Sequence, residues 1–304
     1  MTTVPVTGGS EMINNLCLSG GGIKAAIFIG CYEYLFEHGK LRKLHNLIGS
    51  SGGAIICFMI ALDFSPQEMK DFVLQNIYDN QDGFKIDVTK AMLLIVKYGI
   101  DDGERFRKLF IGALKHKLGS DVEDISFIDF TKKTGKNLVI CGSNITEGSH
   151  EYFNVDSSPD MSVITALRIS ISIPIVFTPV RYNDCVYIDS GIYNNFPINY
   201  FEKNKGETFG LNLISAELDT KTFWSYIWKI IATVLDKRDI ERMKEYKNSH
   251  TIRVQDTNMV DMSKMTFNLK KDDFDTYVEF GRGEMIRIFE LGPGPVHGEL
   301  VRRE

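Results

Sequence analysis

Hydrophobic positions fall in short dense blocks separated by glycine-rich breaks. Behind a flexible leader at 1–11, which holds Pro5, Gly8, Gly9 and Ser10, an apolar strand is predicted around Asn15–Ser19, and Gly20-Gly21-Gly22 breaks it. A long apolar helix follows, from about Lys24 to His38, with Gly39 where a left-handed C-terminal cap is wanted. The same order then repeats. A strand at Leu44–Ile48 runs into Gly49-Ser50-Ser51-Gly52-Gly53, and a helix spans Ala54 to about Leu62. That second helix is apolar all round, which places it at the centre of a domain.

Ser65-Pro66-Gln67-Glu68 combines a serine cap, proline at the first helical position and glutamate three after the cap, so it starts a helix that runs to about Tyr78. Further helices are expected at 87–98 and 102–118, each ending at a glycine. Strands follow at Asn137–Ser143 and His150–Val155, joined by the turn-rich Asn144–Gly148. A helix around Met161–Ile169 precedes Pro174, and Val186–Ile188 is a short strand running into Asp189-Ser190-Gly191. Gly206–Ile214 is another apolar strand. The last third is expected to hold a helix at 222–247, a strand at 251–255 and a helix at about 272–291. Strands alternating with helices predict an α/β fold, a three-layer sandwich with a mostly parallel central sheet. No repeat, low-complexity tract or linker interrupts residues 12–304, which are expected to form one domain.

Composition narrows the function. The 304 residues are 43% hydrophobic and 25% charged, which excludes disordered, collagen-like and mostly membrane-embedded chains. A net charge of −5 argues against broad phosphate-backbone binding, so no nucleic-acid partner is expected. The five cysteines, at 17, 31, 57, 141 and 185, form no C-x-x-C pair and mostly lie in apolar runs; they are read as small buried hydrophobes in a reducing compartment. The N-terminus has no basic region followed by an apolar one, so no secretory signal is expected. The longest uninterrupted apolar run, Ala54–Leu62, is nine residues and too short to cross a bilayer. A cytoplasmic, soluble protein is expected, with any membrane contact peripheral. Phe223–Leu235, which carries Trp224 and Trp228, fits two roles: a core helix packed on the sheet, or an interfacial anchor.

Gly49-Ser50-Ser51-Gly52-Gly53 matches G-x-S-x-G once in the chain. Chance supplies such a match in roughly one chain in seven of this length, so the pattern alone is weak. Its place between a strand and a helix is what strengthens it, because a nucleophile elbow works there. Gly49 and Gly53 permit the tight turn and the close approach of helix to strand. Ser51 then stands at a helix N-terminus, where unpaired N–H groups favour negative charge. Ser19-Gly20-Gly21-Gly22-Ile23-Lys24 is a second strand-to-helix turn whose successive N–H groups suit an oxyanion hole. A dinucleotide fingerprint competes, since Gly20, Gly22 and Ala25 fit G-x-G-x-x-A; however, the next strand ends in Gly49-Ser50 where that fold wants an acidic residue. The six histidines (His38, His45, His116, His150, His250, His297) sit in no base motif. Asp189, at a strand end, is able to act as the base itself, or else to initiate and cap a turn.

Together, Leu18–Lys24, Ile48–Gly53 and Asp189-Ser190-Gly191 resemble the patatin-like phospholipases. Cys141–Thr146, Ser170–Val180 and Asn194-Asn195-Phe196-Pro197 look like further segments of that family. The likeness is specific from about residue 14 to 200, and the compact length looks most like bacterial or viral members. It implies a patatin-like fold and a serine lipid acyl hydrolase of the phospholipase A2 or lysophospholipase type. Ser51 and Asp189 would form the catalytic dyad, with an oxyanion hole drawn from Gly20, Gly21, Gly22 and Gly52. Lys24, Gly49, Gly53 and Gly191 would support the site. The resemblance implies no metal and no cofactor, and a membrane lipid or other acyl ester as substrate. Two departures stand out: Asp-Ser-Gly replaces the family's usual Asp-Gly-Gly or Asp-Gly-Ala, and Lys24 replaces a commoner arginine. An idle patatin-like fold serving as a lipid-binding or interaction module is the alternative, which the intact Ser51 and Asp189 argue against.

Overall fold

A computed structural model describes residues 12–78, 96–215, 244–246, 248–254 and 271–291. Strand β1 (Asn15–Leu18) is buried throughout, as expected of a strand covered on both faces. It pairs in parallel with β2 (Asn46–Gly49) on one side and, on the other, with a long strand, Thr208–Ser215. Two short strands, β3 (Gly99–Asp101) and β6 (Ile175–Phe177), pair in parallel with each other and, among the described residues, with no other strand. The main sheet continues from β2 to β4 (Asn137–Asn144), again in parallel. Beyond β4 the sheet turns antiparallel, through β5 (Ser149–Phe153) and through β8 (Cys185–Ile188) with β7 (Val180–Tyr182). The Thr208–Ser215 strand is β9, and β10 (Ser249–Val254) pairs with it in parallel at the far edge.

The register of the parallel core matters for function. Leu18 lies opposite Gly49, so β1 and β2 end at the same level and their following turns emerge side by side. In such sheets ligands bind beyond the carboxyl ends of the strands.

Among the described residues the longer helices cover one face and short helical turns the other. Leu16, Leu18 and Leu47 belong to the larger core, with α1 (Ala26–Glu37), α2 (Gly52–Ala61) and α3 (Pro66–Val73). Also on that core pack α4 (Glu104–Leu118), α5 (Phe127–Thr134) and α6 (Val163–Ser170). Cys17, Ile48, Val139 and Cys141 point the other way, into a smaller core closed by Phe196, Ile198 and Phe201. The last two belong to the 3-10 turns of Ile198–Glu207, which follow α7 (Gly191–Asn194). In α8 (Lys271–Ile286), Gly281 packs on the Ile27 carbonyl while Gly30 of α1 packs on that of Val278; a Cβ at either would collide with backbone. These two glycines let the helices cross in contact. Most of α2 is buried, in keeping with its all-round apolar pattern.

Local signals act as expected at several ends. The Ser65 hydroxyl accepts from the Glu68 N–H at 3.3 Å while the Glu68 carboxylate accepts from the Ser65 N–H at 2.8 Å. Gly39 takes φ +61 just past α1. Cys17, Cys31, Cys57 and Cys141 are buried thiols, whereas Cys185 is only half-buried on β8.

Other expectations need correction. Helix α5 is an element that the hydrophobic pattern does not predict; Ser126 caps it by accepting from the Asp129 N–H at 3.3 Å. Gly99 opens β3 instead of merely ending a helix. Lys244–Tyr246 form a turn, not the end of a helix spanning 222–247. The remainder of that helix, both tryptophans, most of the 87–98 helix and the 1–11 leader lie outside the described residues. Among the described residues no helix is long and apolar enough to cross a membrane.

Candidate active site

Between the end of β2 and the start of α2 the chain reverses within two residues, Ser50 and Ser51. Ser51 adopts φ 49° and ψ −123°, a conformation that costs a non-glycine residue about 1–3 kcal/mol. The neighbouring glycines make the turn sterically feasible. A Cβ on Gly53 would lie 2.7 Å from the Leu18 carbonyl oxygen, and one on Gly49 would lie 2.5 Å from the Ala54 Cα.

Hydroxyl groups hold the strained residue from behind. The Ser51 N–H donates to Ser170 Oγ and Ser190 Oγ, each at 3.0 Å. Ser190 Oγ also lies 2.7 Å from Ser50 Oγ and 3.0 Å from Ser170 Oγ, and all three side chains are fully buried. The serine that departs from the family's usual glycine thus ties the elbow to the aspartate turn. Ser170 comes from the end of α6 and opens a segment that resembles the family, but its contact with Ser51 is not marked in the sequence.

Asp189 enters from the opposite side. Its N–H donates to the Ser172 carbonyl at 2.9 Å, and its own carbonyl accepts from Ser143 Oγ at 2.8 Å. Its carboxylate accepts from the Gly191 N–H through Oδ1 at 2.8 Å and from Ser51 Oγ through Oδ2 at 2.7 Å. The turn-capping contact and the contact with Ser51 therefore coexist on one carboxylate. Ser51 and Asp189 are each 6% exposed. Burial pushes the Asp189 carboxyl up to about 7, against the opposing pull of the bonds from Ser51 and Gly191. Such a group is poised to take and return a proton near neutral pH.

Four of the five described histidines engage aromatic rings, and His45 is exposed. His38 stacks on Tyr34 and His116 on Phe64, while His150 meets Tyr152 edge-on. His250 packs against Phe209, and burial together with the Arg287 charge pushes it down to about 4. His297 lies outside the described residues.

The glycine turn after β1 abuts the elbow: a Cβ on Gly52 would lie 2.6 Å from the Gly22 oxygen and 3.3 Å from its nitrogen. Gly22 takes φ +53, and the Lys24 N–H closes the turn by donating to the Gly21 carbonyl at 3.0 Å. Among the described residues the N–H groups of Gly21, Gly22 and Gly52 donate to no protein acceptor. Gly20 differs. Its N–H donates to the Asn195 carbonyl at 3.0 Å, so the expectation that it supplies an oxyanion-hole donor is corrected. Gly20 instead lets Ser51 and Asn195 come close, because a Cβ there would overlap the Asn195 carboxamide and approach Ser51 Cβ to 3.3 Å.

A cavity of about 140 Å³ opens at Ser51, Gly22 and Gly52. Its walls are apolar, with Ile23, Ile55, Phe106, Ile173 and Phe177 among them. Behind that wall Arg168 clamps three loops, donating to the Asp102 carbonyl, Ser172 Oγ and the Thr178 carbonyl at 2.7–3.1 Å. Among the described residues no group of three or more His, Cys, Asp or Glu is placed to hold a metal ion.

A hydroxyl bonded to a buried carboxylate, unengaged N–H groups beside it and an apolar cavity form a set suited to acyl transfer. The family model of the patatin-like phospholipases matches residues 16–202, a span holding both glycine turns, Ser51 and Asp189. The chain belongs to the patatin-like phospholipase family. Over 261 residues it is 29% identical to the probable lipid hydrolase 463L of Invertebrate iridescent virus 6, covering 84% of this chain and 83% of the viral protein. It is 28% identical over 215 residues to the uncharacterized protein YqhO of Bacillus subtilis, covering 66% and 70%. Among solved structures, VipD from Legionella pneumophila superposes with a TM-score of 0.58 at 16% identity, over 92% of this chain and 67% of that one, a likeness of fold.

Proposed function

We propose that this patatin-like protein is a lipid acyl hydrolase of phospholipase A type, cleaving carboxylic esters through a Ser51–Asp189 dyad and an acyl-serine intermediate. The observation that carries the proposal is the 2.7 Å bond from Ser51 Oγ to Asp189 Oδ2 at the mouth of an apolar cavity. The name of the viral relative, a probable lipid hydrolase, agrees with it.

Asp189 takes the proton of Ser51 Oγ as that oxygen attacks the ester carbonyl carbon. Charge developing on the carbonyl oxygen is held by the N–H groups of Gly21, Gly22 and Gly52, the last at the N-terminus of α2. The C–O bond to the alcohol breaks, and Asp189 returns its proton to that leaving oxygen. Water then attacks acyl-Ser51, Asp189 takes its proton, the bond to Ser51 Oγ breaks, and the proton goes back to Ser51 as the fatty acid departs. The apolar cavity favours a hydrocarbon chain in the acyl position.

Fatty-acid release from mixed phospholipid and glyceride vesicles, followed by mass spectrometry without added calcium, tests the proposal. The parent should release fatty acid, and Ser51→Ala should release none while keeping the parental far-UV spectrum. Full release by that variant would refute it.

A further inference from the structure

The carboxamide of Asn195 lies against the glycine turn after β1, beside Ser51, and against the turn that carries Asp189. A Cβ on Gly20 would overlap Asn195 Oδ1 and lie 3.3 Å from Ser51 Cβ. A Cβ on Gly191 would lie 3.0 Å from Asn195 Oδ1 and 2.9 Å from Asp189 Oδ1. The Asn195 carboxamide oxygen is therefore a near neighbour of both the Ser51 Cβ and the Asp189 carboxylate. Its backbone is anchored independently, with the Asn195 carbonyl accepting from the Gly20 N–H at 3.0 Å. The side chain itself makes no hydrogen bond to protein among the described residues and is only half-buried. A polar group fixed by its main chain, beside two reacting groups and without a protein partner, is suited to hold a solvent molecule.

The need for such a group arises in the second half-reaction. Once Ser51 is acylated, Asp189 Oδ2 loses the hydroxyl that bonds it, and the next donor it meets must be the attacking water. We propose that the Asn195 carboxamide holds that water against Asp189, making Asn195 a catalytic residue of deacylation. The proposal rests on the acyl-serine reaction above. The water oxygen bonds to the acyl carbon, Asp189 takes one proton, and the Ser51 Oγ–acyl bond breaks as that proton returns to Oγ.

The test separates the two half-reactions in the full chain. It measures the rate of fluorophosphonate labelling, which reports attack by Ser51, and steady-state turnover of a p-nitrophenyl fatty-acid ester, with intact-protein mass spectrometry during turnover. Asn195→Ala should label within about 3-fold of the parent yet turn over at least about 10-fold more slowly, with an acyl adduct accumulating. Asn195→Asp keeps the acceptor and adds a charge beside buried Asp189, so its turnover should recover only at higher pH, with the profile moved alkaline of the parent's. Labelling and turnover falling together in Asn195→Ala, or neither changing, would overturn the assignment, as would an unshifted profile in Asn195→Asp. If the parent turns over and only these Asn195 outcomes fail, the acyl-serine reaction stands; a parent that neither labels nor turns over removes both.

Discussion

The two glycine-rich turns after β1 and β2 leave adjacent strands at the same level and enter adjacent helices, yet they are built for different ends. In the first, glycine itself takes the left-handed conformation, Gly22 at φ +53, and the N–H groups of Gly21 and Gly22 stay unengaged. In the second, a serine takes the strained conformation, and its N–H is held by two buried hydroxyls. Where the backbone is the working part, the side chain is dispensed with. Where the side chain is the working part, strain is accepted and the surroundings hold it in place.

Substitutions that exchange these roles should separate them. The largest loss is expected from the working side chains. Ser51→Ala should abolish hydrolysis, and Asp189→Asn should lower kcat by ~10³-fold or more with the fold intact, as for other triad disruptions. Next comes Gly52→Ala, which wedges a methyl against the Gly22 carbonyl and so forces the turns apart. Misplacing oxyanion donors in this way should cost about 10²-fold in kcat. Gly22→Ala should do least: nothing lies within 4 Å of its added methyl, and only the positive φ is penalised, by about 1–2 kcal/mol of stability. Denaturant titration beside steady-state kinetics would distinguish a lost N–H position from a strained but functional turn. An inactive yet stable Gly22→Ala variant would break the contrast between the turns.

The ionisation of Asp189 gives a prediction with a definite sign. Its folded carboxyl sits at about 7, above its ordinary value of 3.8, so the native state keeps a proton that the unfolded chain gives up. The stability tied to that proton is complete below the ordinary carboxyl range and is lost as pH rises through about 7. Activity should run the opposite way, rising as the base form appears. Asp189→Asn should therefore be more heat-stable than the parent at pH 8 while being nearly inactive. A lower Tm for that variant at pH 8 would count against the buried charge.

Much of this site was legible because its parts are local. The elbow is five consecutive residues between an apolar strand and an apolar helix, and the glycine turn repeats that setting thirty-odd residues upstream. Asp189 stood out because a carboxylate followed a short β-branched and aromatic run. What escaped was assembled from distant pieces. Ser170 reaches Ser51 from 119 residues away and Ser143 reaches Asp189 from 46; both lie in segments that resemble the family, but nothing in those segments shows which group each hydroxyl holds. Strands β3 and β6, three residues each, are too short for periodicity and exist through their mutual pairing. Helix α5 did carry a signal, Ser126 three residues before Asp129, which the charged run around it obscured. Gly20 shows a subtler limit: its neighbours expose N–H groups, but the Asn195 carbonyl that engages its own cannot be read from a glycine triplet.

Fluorophosphonate labelling across pH, with the adduct mapped by peptide mass spectrometry, tests the dyad most directly. The adduct should lie on Ser51, form faster as pH rises through about 7, and vanish in Asp189→Asn, while each single histidine variant labels at close to the parental rate. An adduct on another serine, or a folded histidine variant that fails as completely as Asp189→Asn, would contradict a Ser51–Asp189 dyad.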